Sequence, residues 1–213
     1  MIDIEMNRWS LLFCLILPVL GAPKRFEIKD EDSDNELEQW CEGKPADIFF
    51  LLDTSSSINF DDFDKQKAFV QDLIKVFDIS ETKTRIAVAL FSSGYYSQFP
   101  FYRYNDKSDI INAIDRIRHR GGNTETGRAI GRMVRDGFRF AREGVVRIAF
   151  VLTDGKSQRG DVTIAEAAKA KEDNIFIYAI GVGKADIDEL NAIGSDPNPN
   201  LYTRWEATVS STS

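Results

Sequence analysis

The chain has 213 residues, 43% of them hydrophobic, and a formal net charge of −7. That apolar content supports one domain-sized buried core, which excludes collagen-like and wholly disordered architectures. The acidic balance excludes nucleic acid as the main partner, because phosphate binding needs a concentrated basic face; the one basic cluster, Arg116, Arg118, His119 and Arg120, has the pattern of a solvated helix end.

At the start of the chain Arg8 precedes "WSLLFCLILPVL", an apolar run of roughly a dozen residues, against the about 20 that span a bilayer. Val19 and Gly21 supply the small residues that a signal peptidase accepts, so residues 1–21 are expected to be a secretory signal peptide, with an uncleaved anchor as the alternative. No later segment is long and apolar enough to cross a membrane, so the mature chain is expected to be soluble outside the cell. Cys14 leaves with the signal, and Cys41 becomes the sole cysteine of the mature chain. In an oxidising compartment an odd thiol implies a disulfide-linked oligomer, a partner this chain lacks, or a free buried thiol. Residues 22–45 include "KRFEIKDEDSDNELEQWCE", acidic and without apolar periodicity, and form an exposed leader.

From residue 46 strands and helices alternate. "ADIFFLLD" is a continuous apolar run of the kind buried on both faces of a sheet. "NFDDFDKQKAFVQDLIKVF" places Phe63, Val70, Ile74 and Phe77 at helical spacing behind an acidic first turn. "TRIAVALFS" is a second strand, and "YYSQFPF", with Pro100, an edge strand after a hairpin turn at Gly94. Helices over "SDIINAIDRI" and "TGRAIGRMVRDGF" flank the turn "RGGNTETG". "VVRIAFVLTD" and "NIFIYAIGVG" are buried strands around a helix capped by Asp161, and a short helix from Asp186 to Ile193 and a last strand, "NLYTRW", follow. The pattern predicts an α/β fold: a doubly wound, mostly parallel six-stranded sheet with one short antiparallel edge strand and helices on both faces.

In such folds ligands bind beyond the carboxyl ends of the strands, where the chain order reverses. "FLLDTSSSINF" leaves a strand at Asp53, and "RIAFVLTDG" leaves another at Asp154. Asp53, Ser55 and Ser57 alternate and can point to one side, while "GGNT" offers Thr124. The plainer reading has Ser57 or Asn59 capping the following helix and Asp154-Gly155 as an ordinary turn. Two acids among three neutral hydroxyls suit a hard cation, Mg²⁺ or Mn²⁺, better than a carboxylate-rich calcium cage. Octahedral Mg²⁺ that keeps an open position attracts an outside carboxylate, which is recognition without a nucleophile.

Enzyme motifs fail on their residues. "GNTETGRA" has Arg128 and Ala129 where a phosphate loop needs Lys and Ser/Thr, and "GVGKAD" lacks the last glycine of a dinucleotide fingerprint. His119 is the only histidine, and no general base stands beside the proposed ligands. Arg159-Gly160-Asp161 is the tripeptide that integrins recognise.

From Asp47 to about Trp205 the sequence resembles the von Willebrand factor type A domain, particularly those of matrilins and collagen-associated matrix proteins. The segments that carry the likeness are "DIFFLLDTSSSI", "TRIAVALFS", "GGNTETGRAI", "VRIAFVLTDGKSQ" and "IFIYAIGVG". The resemblance implies a domain over residues 46–207, a disordered tail over 208–213, and a metal-ion-dependent adhesion site (MIDAS) of Asp53, Ser55, Ser57, Thr124 and Asp154. It also implies that Asp154 acts through water. Function is then expected to be non-enzymatic binding of a matrix protein with an exposed Asp or Glu; the alternative is a structural or biomineral-associated protein assembling through Cys41 and its acidic segments. Similar matrix domains continue into an apolar covering helix and a cysteine that pairs with one placed like Cys41. "WEATVSSTS" carries neither, so truncation or an uncovered partner interface is expected. "GFRFAREGVVRI" leaves no room for the inserted helix of integrin collagen-binding domains, and collagen binding is not implied.

Overall fold

The computed structural model describes residues 45–183 and 185–195. The expected signal peptide, the acidic leader up to residue 44, Cys41, the sixth strand and the tail lie outside the described residues. Within them a five-stranded sheet runs in the order β3-β2-β1-β4-β5. Its strands are β1 (Ala46–Asp53), β2 (Thr84–Phe91), β3 (Tyr95–Phe99), β4 (Val146–Thr153) and β5 (Ile175–Gly181). β1 pairs in parallel with both β2 and β4, and β4 with β5, while β3 is the antiparallel edge.

Every residue of β1 is buried, because alternate side chains enter two different cores. Ile48, Phe50 and Leu52 meet α1 (Phe60–Val76) and α2 (Lys107–Asp115) through Phe63, Val70, Ile74, Ile110 and Ile114. Phe49 and Leu51 face α3 (Thr126–Arg132), α4 (Gly160–Glu172) and α5 (Ile187–Ile193) through Ile130, Ala167 and Leu190. Gly127 lets α3 lie against α4: a Cβ there would stand 2.6 Å from the Thr163 amide nitrogen.

Two local expectations change. The helix expected over "TGRAIGRMVRDGF" ends at Arg132 and continues as a π turn, Met133–Gly137, and a 3₁₀ turn, Phe138–Phe140. The wider turn lets the Phe138 amide donate to the Met133 carbonyl and puts both side chains in the core around Phe49. Asp161 does not cap α4; Arg159 occupies that position without a side-chain hydrogen bond, and Asp161 sits exposed in the first turn. The Gln158 amide donates to the Thr124 carbonyl at 3.0 Å, which fixes the chain entering the helix ahead of Asp161.

Candidate functional site

The chain order reverses at β1, whose neighbours β2 and β4 leave in opposite directions along the sheet. Asp53 ends β1, and Thr153 and Asp154 end β4 beside it. The expectation that Ser57 or Asn59 caps the helix after "DTSSS" is met by Asn59. Asn59 caps α1, its Oδ1 accepting from the Asp62 amide at 2.8 Å, so no serine is needed for that task.

The hydroxyls divide by parity. Thr54 Oγ1 accepts from the Arg120 amide at 2.8 Å, and Ser56 Oγ from the Gly122 amide at 2.9 Å. The Ser56 and Gly121 amides return the bonds, donating to the carbonyls of Gly122 and Thr54. This lacing holds the loop that carries Thr124, and it needs left-handed backbone at Gly121 (φ 73°) and Gly122 (φ 112°). A Cβ on Gly122 would also meet Ser93 Oγ at 2.8 Å.

On the other parity, Asp53 Oδ1 accepts from the Ser55 amide at 2.8 Å, and its Oδ2 from the Thr153 hydroxyl at 2.7 Å. Ser55 Oγ and Ser57 Oγ lie 3.0 Å apart. Thr124 and Asp154 are both buried, and Asp154 Oδ1 accepts from the Lys156 amide at 3.1 Å. Burial pushes the Asp53 carboxyl up to about 6, with the nearby Asp154 charge adding to the effect and hydrogen bonds from Ser55 and Thr153 opposing it.

Neither acid has an ion-pair partner among the described residues. Two buried neighbouring carboxylates without a cation are costly, and a divalent cation is the group that would offset them. No group of three or more His, Cys, Asp or Glu side chains is gathered for a metal among the described residues, so any cation here must draw on hydroxyl oxygens. The donor set fits a hard, oxygen-seeking ion.

His119 is a neighbour of the candidate site that its sequence pattern does not reveal. Far from being a solvated helix end, its ring packs against Phe60 and Phe63, each at 5.2 Å, and its Nε2 lies 3.2 Å from the Ser55 carbonyl oxygen. Phe60 stays 74% exposed at the start of α1 beside the rim. Only the aromatic at the first helical position hinted at this; the contact from residue 119 back to residues 55–63 leaves no periodic trace. Arg159 and Asp161 are exposed on the same rim, tied to Thr124 through the Gln158 amide.

Residues 47–210 match the family model of the von Willebrand factor type A domain. The chain belongs to the von Willebrand factor type A family. Mouse matrilin-2 is 38% identical to it over 168 residues, which cover 76% of this chain and 17% of matrilin-2. The mouse collagen alpha-4(VI) chain is 37% identical over 177 residues, covering 82% of this chain and 8% of that protein. This von Willebrand factor type A chain thus spans less than a fifth of either relative's length. Among solved structures, proximal thread matrix protein 1 from the mussel byssus has a TM-score of 0.66 at 30% identity, over 73% of this chain and 40% of that one. That protein has also been solved with a zinc-occupied MIDAS motif. Matrilins and collagens are extracellular matrix proteins and not enzymes, and the chain is a type A domain of their kind.

Proposed function

We propose that this domain is a secreted, non-enzymatic matrix-binding module that captures an acidic residue of a protein partner through Mg²⁺ or Mn²⁺ held by Asp53, Ser55, Ser57, Thr124 and Asp154. The observation that carries the reading is the pair of buried, uncompensated carboxylates, Asp53 and Asp154, at the rim where the sheet order reverses. A bound divalent cation would supply an under-neutralised charge and a coordination position for an outside carboxylate. The chain's own residues prepare that position. Thr153 holds the Asp53 carboxylate, Thr54 and Ser56 fix the Thr124 loop, and the His119 ring braces the backbone at Ser55. The zinc-occupied MIDAS of the byssus protein supports the same reading.

Calorimetric titration of the purified protein with MgCl₂ and MnCl₂ tests it. Wild type should give binding heat and a raised melting temperature, and Asp53→Ala neither; identical traces for the two proteins would overturn the proposal. Integrin capture through Arg159-Gly160-Asp161 is a separate proposal, favoured by the exposure of Arg159 and Asp161. It requires that Asp161→Glu abolish adhesion of integrin-bearing cells while the fold survives. A disulfide-linked oligomer through Cys41 is likewise proposed, and non-reducing electrophoresis of the secreted protein decides it.

A further inference from the structure

Beside the candidate metal rim lies a pocket of about 340 Å³ whose walls include Ser93, Tyr95, Glu125, Arg128, Arg132 and Arg135. The three arginines are spaced by four and three residues along α3 and the π turn, which turns them to one side. The pocket is built into the loops of the metal rim. The Glu125 amide, next to Thr124, donates to the Ser92 carbonyl at 3.0 Å, and Ser93 Oγ accepts from the Asn123 amide at 2.8 Å.

The arginines are not equivalent. Arg132 pairs with Asp136 and lies 5.8 Å from the Tyr95 ring centre, and Arg135 is 3.8 Å from Glu166. Arg128 is exposed and has no ion-pair partner among the described residues. Within a chain of net charge −7, the pocket therefore offers one unspent guanidinium beside two partly spent ones, against one carboxyl in the wall, that of Glu125.

We infer that this pocket receives a second acidic side chain of the same protein partner, two or three residues from the carboxylate taken at the metal, with Arg128 as its principal contact. The inference rests on the metal-dependent reading proposed above and adds a specificity element to it. A planar guanidinium with free donors matches a carboxylate in a two-bond fork. A sulfated polysaccharide fits less well, since a polyanion needs a continuous basic track. Arg120, on the neighbouring rim loop, does not extend such a track, because it lies over Tyr96, which packs against the core on the other face of the sheet.

The test uses the full mature chain and synthetic Gly-Ser peptides carrying one aspartate, or two aspartates separated by one or two residues, followed by ¹⁵N chemical shifts in Mg²⁺. Wild type should bind the best two-acid peptide about tenfold more tightly than the one-acid peptide. Arg128→Glu should collapse that ratio to near one, and Lys75→Glu, a charge reversal on the distant end of α1, should leave it intact. A wild-type ratio near one with Mg²⁺ binding preserved, or an Arg128→Glu variant that keeps the tenfold preference, overturns the pocket alone. Absence of Mg²⁺ heat in wild type overturns the metal reading and the pocket with it. Heparin tetrasaccharide binding that survives EDTA and vanishes in Arg128→Glu would assign the pocket to a sulfated glycan and also overturn the inference.

Discussion

Asp47 and Asp53 stand at opposite ends of the same strand, and both are completely buried. Burial pushes the Asp47 carboxyl up, but hydrogen bonds and charge from Arg85 and Arg142 outweigh it and hold the group below the usual aspartate range. Arg142 reaches Asp47 Oδ1 at 2.7 Å and also donates to the carbonyls of Ala46, Glu81 and Lys83. Among the described residues Asp53 meets only uncharged donors, the amide and side chain of Ser55 and the Thr153 hydroxyl, and its carboxyl is pushed up to about 6. The same residue type, equally dry, is saturated at the amino end of the sheet and left short of positive charge at the carboxyl end. The first arrangement closes a fold, and the second is the one on which the proposed cation site rests.

The contrast predicts opposite outcomes for removing each acid. Asp47→Ala strands two arginines that are only 12% and 21% exposed, and should cost about 3 kcal/mol in urea unfolding. A loss below about 1 kcal/mol would mean that the arginine cluster is ornamental and would break the comparison at its amino end.

At the carboxyl end the effect is set by pH. The folded value of Asp53, about 6, lies above its ordinary 3.8, so the metal-free native state holds the proton more tightly than the unfolded chain does. The stability this group contributes is fully present below 3.8 and is lost as pH rises through about 6. A gap of about two pH units amounts to about 3 kcal/mol at most. In EDTA, Asp53→Asn should therefore match wild type near the low end of that window and exceed it increasingly towards neutral pH. Asp47 runs the other way, its contribution being present above the ordinary aspartate value and lost as pH falls below it. Mg²⁺ at a hundred times its dissociation constant should restore about 2.7 kcal/mol to wild type and nothing to the variant. A difference between the two proteins that ignores both pH and Mg²⁺ would erase the distinction between the two acids.

Much of this was legible because it depends on residue type at a strand end. The doubly buried strands announce themselves as unbroken apolar runs, and the parity of "DTSSS" separates Thr54 and Ser56 from Asp53, Ser55 and Ser57 in the sequence alone. What escaped is held by contacts across long stretches of chain. Asp47 looked like one more member of "ADIFFLLD", because its partner Arg142 is 95 residues away. His119 looked solvated, because Phe60 and Phe63 reach it only after the sheet has formed. The end of α3 was hidden for a different reason: the π turn answers the shape of the Phe49 ring, against which Gly137 packs so closely that a Cβ would come within 2.5 Å of it.

The finest version of the comparison lies inside one loop, where neighbouring hydroxyls should fail in different assays. Thr54→Val keeps the side-chain shape but removes the acceptor that the Arg120 amide uses, at a buried position. It should cost about 1 kcal/mol of stability, with Mg²⁺ affinity reduced only as far as the Thr124 loop loosens. Ser57 is exposed, and among the described residues its hydroxyl bonds only with that of Ser55. Ser57→Ala should move stability by less than about 0.5 kcal/mol, yet it removes an oxygen from the proposed coordination shell. Its signature is a drop in Mg²⁺ affinity without a shift in the metal-free melting curve. If Thr54→Val harms metal binding more than Ser57→Ala does, the assignment of alternate residues to lacing and to ligation is wrong, and the cation would have to be held by a different set of oxygens on this rim.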